Sequence, residues 1–208
     1  MKRHYAEQLA DLKETVLRMG GLVERKAEML ADVRAAETQV NQLHIDIDEI
    51  CLEIIALRQP AAKDLRFITA AMKINTDMER IGDQAINITE SAEALLAVPP
   101  LKPLIDIPRM AEIAKGMLRD ALDAFVRGDD SLALATIRRD DDVDQLKDQV
   151  FRELLTYMMA DPSTIPRAMD LILVSRHLER IADHATNICE DVVFMIQGKD
   201  VRHQGPLA

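Results

Sequence analysis

Two sets of oxygen-bearing side chains carry most of the chemistry in this sequence. Glu79, Asp83, Asn87 and Glu90 stand at i, i+4, i+8 and i+11, and Glu179, Asp183, Asn187 and Glu190 repeat that spacing one hundred residues later. At about 100° per residue, each set falls within roughly an 80° arc of one helix. Side-chain bases four apart on a helix lie about 6 Å from each other, and at that distance two unpaired charges repel by roughly 0.7 kcal/mol in water. One such pair costs little. Several on neighbouring helices accumulate a repulsion that a divalent cation turns into attraction. Hard oxygen ligands suit Mg, Mn and Fe, and added imidazole suits Zn and Fe. The plainer reading is a wetted helix face that Arg80 and Arg180 neutralise. The recurrence of the same four residues in both copies favours a metal for the carboxylates. Asn87 and Asn187 read either as carbonyl ligands or as polar surface. His177 and His184 read as surface residues rather than ligands.

The elements that must position these ridges follow from the same repeat. Glu79–Glu90 and Glu179–Glu190 agree at eight of twelve positions, so the chain contains a duplication. Ile74, Met78, Ile81, Ala85 and Ile88 form an apolar stripe behind the first ridge, and Val174, Leu178, Ile181, Ala185 and Ile188 do so behind the second. Each ridge is therefore expected to face outwards. A helical stripe runs from about Tyr5 to Met19, Gly20-Gly21 breaks it, and a second pattern runs from Leu22 to Leu57 and stops before Pro60. A third helix, with Asp64 as its cap, spans about Leu65 to Leu96. The proline-rich stretch 99–108 divides a first unit, 1–98, from a second, 109–198. In the second unit the patterns predict helices from about Arg109 to Val126, from Ser131 to Met159 with Asp130 as cap, and from Arg167 to about Gln197, closed by Gly198. The expected fold is all-α, two tandem, duplicated three-helix bundles. The first unit lacks a counterpart of the Gly128-Asp129-Asp130 turn. Either the chain reverses at Gly20-Gly21, or a turn segment is absent from the sequence.

Composition narrows the function classes. A net charge of −10 leaves no basic field for phosphate backbones, which argues against nucleic-acid binding. Cys51 and Cys189 sit in no paired-cysteine motif and read as packing residues in a reducing compartment. The amino terminus shows no signal-peptide core, and no stretch of ~20 apolar residues is present. These features place the protein in the cytoplasm.

Arg58-Gln59-Pro60 with Asp64-Leu65-Arg66, then Glu79-Arg80-Ile81-Gly82-Asp83, resemble the first half of the phosphate-uptake regulator family PhoU. Tyr157-Met158-Met159 with Pro162 and Pro166, then Glu179-Arg180-Ile181-Ala182-Asp183 and Asn187-Ile188-Cys189-Glu190, resemble its second half. The resemblance implies a negative regulator of the phosphate-starvation response that connects the ATPase subunit of a phosphate ABC transporter to a sensor histidine kinase. It implies a homodimer that meets the membrane only through such partners. It also implies Fe, Zn or other divalent ions on the bundle surfaces, held by acidic i, i+4 pairs. Carried over by position, those pairs are Glu79/Asp83 and Glu179/Asp183, with Asp144/Asp148 at the same spacing and His44/Asp48 as the remaining pair. His44 departs from the acidic residue usual in the family and tilts that site towards a metal that tolerates imidazole.

Other classes are weaker. A ferritin-like di-metal protein draws its ligands inwards through Glu-x-x-His motifs, whereas these acids lie opposite the apolar stripe. A phosphotransfer domain would need His44 or His184 as acceptor. An accessory subunit of another phosphate transporter is the nearest alternative. No nucleophile–base pair or glycine-rich phosphate loop is present in the sequence, and the expectation is a protein that is not an enzyme. Arg58 and Arg66 read as partners of nearby acids such as Asp64.

Overall fold

The computed structural model describes residues 33–201. The helix expected at Tyr5–Met19, the Gly20-Gly21 break and the question of an absent turn lie outside those residues. The described chain runs through α1 (Val33–Arg58), α2 (Lys63–Leu96), α3 (Asp106–Arg127), α4 (Asp130–Ile137), α5 (Asp140–Ala160), a 3₁₀ turn (Pro162–Thr164) and α6 (Ile165–Gln197).

The predicted stripes are the core. Ile74, Met78 and Ile81 are fully buried, as are Ala185 and Ile188. Burial follows the duplication: residues 71–80 and 171–180 show the same order of buried, half-buried and exposed positions. A shared pattern at a fixed offset means that the two long helices meet equivalent surroundings. They also meet each other. α2 packs along α6, α1 lies on α2, and α3, α4 and α5 all lie on α6. Cys51 and Cys189 are buried and free, and burial pushes both thiols up to about 12, in keeping with packing residues.

Local chemistry moves several predicted boundaries. α2 begins at Lys63, so Asp64 sits inside the first turn and the cap position falls to Ala62, which makes no side-chain capping bond. There the Asp64 carboxylate meets the positive end of the helix dipole rather than an orphan amide. α3 begins at Asp106 and takes Pro108 into its first turn, where the missing amide has no helical partner to lose. Asp129, not Asp130, caps α4, accepting from the Leu132 amide at 2.9 Å. The helix expected from Ser131 to Met159 is broken into α4 and α5 at Arg138-Arg139. At the break the Arg139 amide turns back to the Thr136 carbonyl and the Asp142 amide to the Arg139 carbonyl. Arg139 reaches sideways to Asp120 of α3, 2.5 Å away. It fits because Gly116 carries no side chain: a Cβ there would lie 2.7 Å from the guanidinium. The run Asp140-Asp141-Asp142 then fills the first turn of α5, where three carboxylates suit a helix start far better than a helix middle. Gly128 and Gly198 end α3 and α6 at positive φ, 63° and 68°.

Candidate metal centre and the seam between repeats

The second ridge lies where α5 runs beside α6. Asp144 and Glu179 are joined by an ammonium: Lys147 Nζ donates to Asp144 Oδ1 at 2.8 Å and to Glu179 Oε1 at 2.9 Å. These hydrogen bonds, Asp144's first, hold the lysine well above its usual range against the cost of partial burial. Asp140 stands in the same field. Burial, then Asp183, Asp144, Asp141 and Glu179, push its carboxyl up to about 6. Asp183 is also raised, by burial and then by Glu179 and Asp144. The geometric link between the acids of the two helices is Lys147, which bonds Asp144 of α5 and Glu179 of α6. Asp148, Glu179, Asp183 and Asn187 line an open groove of about 620 Å³ that Phe151 and Arg176 share. Asn187 also turns to α2, donating to Asp77 Oδ1 at 3.2 Å.

The first ridge is built differently. His44 Nε2 stands 3.7 Å from Asp48 Oδ2. Asn75, wholly buried on α2, donates to Asp48 Oδ1 at 2.9 Å and to the His44 carbonyl at 2.8 Å. Asp48, paired with His44 in the sequence, is thus also tied to α2 through an amide. Glu79 lies 3.6 Å from Arg80, and Asp83 and Asn87 follow along α2, half-buried. On these two helices Val143-Asp144-Gln145-Leu146-Lys147 aligns with Val40-Asn41-Gln42-Leu43-His44, so where Lys147 stands in the second half the first has His44. The donor set of both ridges, carboxylates with one imidazole, has the chemistry of a site for hard or borderline cations. Among the described residues, no three His, Cys, Asp or Glu side chains stand together in the geometry of a metal site. In the second ridge the place between Asp144 and Glu179 is taken by Lys147.

Sequence reasoning missed the seam between the repeats. His184 Nδ1–H donates to Asp77 Oδ1 at 2.8 Å, and His177 Nδ1–H donates to Gln84 Oε1 at 2.8 Å. Repeat position 77/177 thus meets position 84/184 twice, with the helices exchanged. That is the signature of two antiparallel helices related by an approximate two-fold axis. His177 and His184, expected on the surface, are half-buried fastenings of this seam. Burial, then Arg180 and Arg176, lower the His177 pKa. Lys73 adds a further tie, 3.1 Å from the buried Asp191. A signal did exist in the sequence: Gln84 and His184 differ between otherwise similar copies, because each faces the other copy rather than its own half.

The fold and ridges define a class: a duplicated helical protein whose two motif helices pack against each other and carry acidic residues on their outer flanks. The family model described as the PhoU domain matches the chain twice, at residues 6–92 and 107–192. The chain belongs to the PhoU family. It is 38% identical over 218 residues to the phosphate-specific transport system accessory protein PhoU homolog of Pseudomonas putida, covering 99% of this chain and 85% of that protein. To the homolog of Aquifex aeolicus it is 41% identical over 210 residues, covering 95% of each. The crystal structure of PhoU from Pseudomonas aeruginosa matches with a TM-score of 0.90 at 38% identity, covering 94% of this chain and all of that one. That of the phosphate transport system regulatory protein PhoU from Streptococcus pneumoniae matches with a TM-score of 0.85 at 28% identity, covering 95% of this chain and 99% of that one. The fold is all-α, two tandem, duplicated three-helix bundles. No helix among the described residues is long and apolar enough to cross a membrane.

Proposed function

We propose that this chain is a regulatory accessory protein of a phosphate transport system rather than an enzyme. It acts in the cytoplasm as a homodimeric adaptor between the ATPase subunit of a phosphate ABC transporter and a sensor histidine kinase. Through that link it holds the phosphate-starvation response down when phosphate is plentiful. The observation that carries this reading is likeness along almost the whole chain to proteins named as phosphate-specific transport system accessory protein PhoU or its homolog, the Escherichia coli K12 protein at 35% identity among them.

In this reading the acidic ridges hold divalent or trivalent ions (Fe, Zn, Mn or Mg). His44, Asp48, Glu79, Asp83 and Asn87 serve the first ridge, and Asp144, Asp148, Glu179, Asp183 and Asn187 the second. A bound ion would supply the positive charge that these carboxylates call for.

The test is complementation. A bacterium lacking its own PhoU relative, with a phosphate-responsive alkaline phosphatase reporter, should regain repression in high phosphate when it expresses this chain. The transporter ATPase and the kinase should be recovered with it after crosslinking. An unchanged reporter, with folded protein present, rejects the adaptor reading. Elemental analysis tests the ridges separately. The wild type should carry metal that is lost on changing Glu79, Asp83, Glu179 and Asp183 to Ala, with helicity kept. A wild type still metal-free after incubation with Mn, Fe and Zn ends the metal assignment.

A further inference from the structure

Lys147 marks the repeat position at which the two ridges differ in chemistry. On α1 and α5 the copies align at an offset of 103, Val40-Asn41-Gln42-Leu43-His44 against Val143-Asp144-Gln145-Leu146-Lys147, with the same order of buried positions, so the counterpart of Lys147 is the half-buried His44. In the second half that position sends an ammonium, rather than an imidazole, towards α6. There it meets Asp144 of its own helix at 2.8 Å and Glu179 across the groove at 2.9 Å. The Glu179 side chain is 20% exposed and that of Lys147 29%, so water screens this contact less than an open surface pair. Asp140 and Asp183 press on the same field from either helix.

We propose that Lys147 is a tethered counter-ion of the second ridge: its ammonium occupies the place between α5 and α6 from which a divalent cation would bridge Asp144 and Glu179, so lysine and cation compete for those two carboxylates. The inference rests on the metal reading of the ridges and makes the two halves unequal. The second ridge accepts a cation only as Lys147 swings away, which its flexible four-carbon stem allows. The first ridge places His44 at that position, an imidazole that can itself ligate a cation, so its cation affinity is not set by a resident ammonium there.

The test is calorimetric titration of Mn²⁺ into the metal-free full chain and into Lys147→Met, with thermal unfolding as a second readout. Lys147→Met should bind Mn²⁺ about tenfold or more tightly than the wild type, a difference of about 1.4 kcal/mol or more. Its Tm should lie below the wild type's in EDTA and recover with Mn²⁺. Adding Glu179→Gln should abolish the gain. Lys147→Gln replaces the methionine variant if that one fails to fold. If the wild type binds through Glu179 and the uncharged variant binds no more tightly, competition is overturned while the metal reading stands. If neither protein binds Mn, Fe or Zn, both are overturned.

Discussion

Asp140 shows how a single side chain reports the field of the second ridge. Its carboxyl is raised to about 6 because burial and the acids around it disfavour its charge in the folded chain. The unfolded chain releases that proton near its ordinary value, about 3.9. Between those values the folded state binds more protons, so this group's contribution to stability falls as pH rises from about 4 to about 6 and stays low above that. Asp140→Asn should therefore stabilise the protein at pH 7.5 by about 1 kcal/mol, after allowance for water screening at a half-buried site. It should change little at pH 4. Urea unfolding at both pH values, in EDTA, checks this; an equal effect at the two would mean that repulsion is not the cause. Neither Asp140 nor Lys147 was picked out as part of the ridge, although the i, i+4 carboxylates were. Spacing along one helix is written in the chain, whereas what stands across the groove depends on the rotation of α5 against α6. That rotation follows from the break at Arg139, which needs Gly116 and Asp120 of α3 to be understood.

The helical elements were legible for a different reason. The stripes behind both ridges have the helical period and enough length to outweigh local uncertainty, so α2 and α6 appear within two residues of their predicted ends. What the period cannot tell is which helix a half-polar flank will face. His177 and His184 read as solvated positions, yet with Gln84 and Asp77 they fasten α2 to α6. The strength of that fastening is open to measurement. Asp77 accepts from both His184 and Asn187, and Asp77→Ala leaves two donors to find new partners. The variant should lose about 1–2 kcal/mol of stability. A double-mutant cycle between Asp77→Ala and His184→Ala should return a coupling on the order of 1 kcal/mol. Additive losses would mean that the pair is formed but contributes nothing to the packing of the two helices.

At the scale of the whole molecule, the seam decides whether the duplicated units behave as two domains or one. The sequence suggests two bundles joined by a proline-rich linker, and tandem units of that kind are free to unfold separately. The structure instead gives one hydrophobic cluster that runs from Val40 on α1 to Met195 on α6. Contacts cross between halves along much of the length of α2. Arg66 donates to the Met195 carbonyl at 3.2 Å, and Phe67 stacks on Phe125 of α3 with ring centroids 5.5 Å apart. Phe125 is 1% exposed and among the largest fully buried side chains. It belongs to the second half by sequence, but one face of its ring belongs to the first. Phe125→Ala should cost about 3–5 kcal/mol, since a buried ring is lost and a cavity remains. If the halves fold as one unit, native-state hydrogen exchange should show the most protected amides of α2 and α6 losing protection by the same factor, because both open through the same global event. Loss confined to α3, α5 and α6, with α2 unchanged, would mean that the repeats are separately stable. The seam would then be a docking surface between two domains, and a regulator of this build could transmit a signal by parting them. Equal loss would mean that a signal must pass through a single rigid core, which makes the outer ridges the places where partners and ions can act on it.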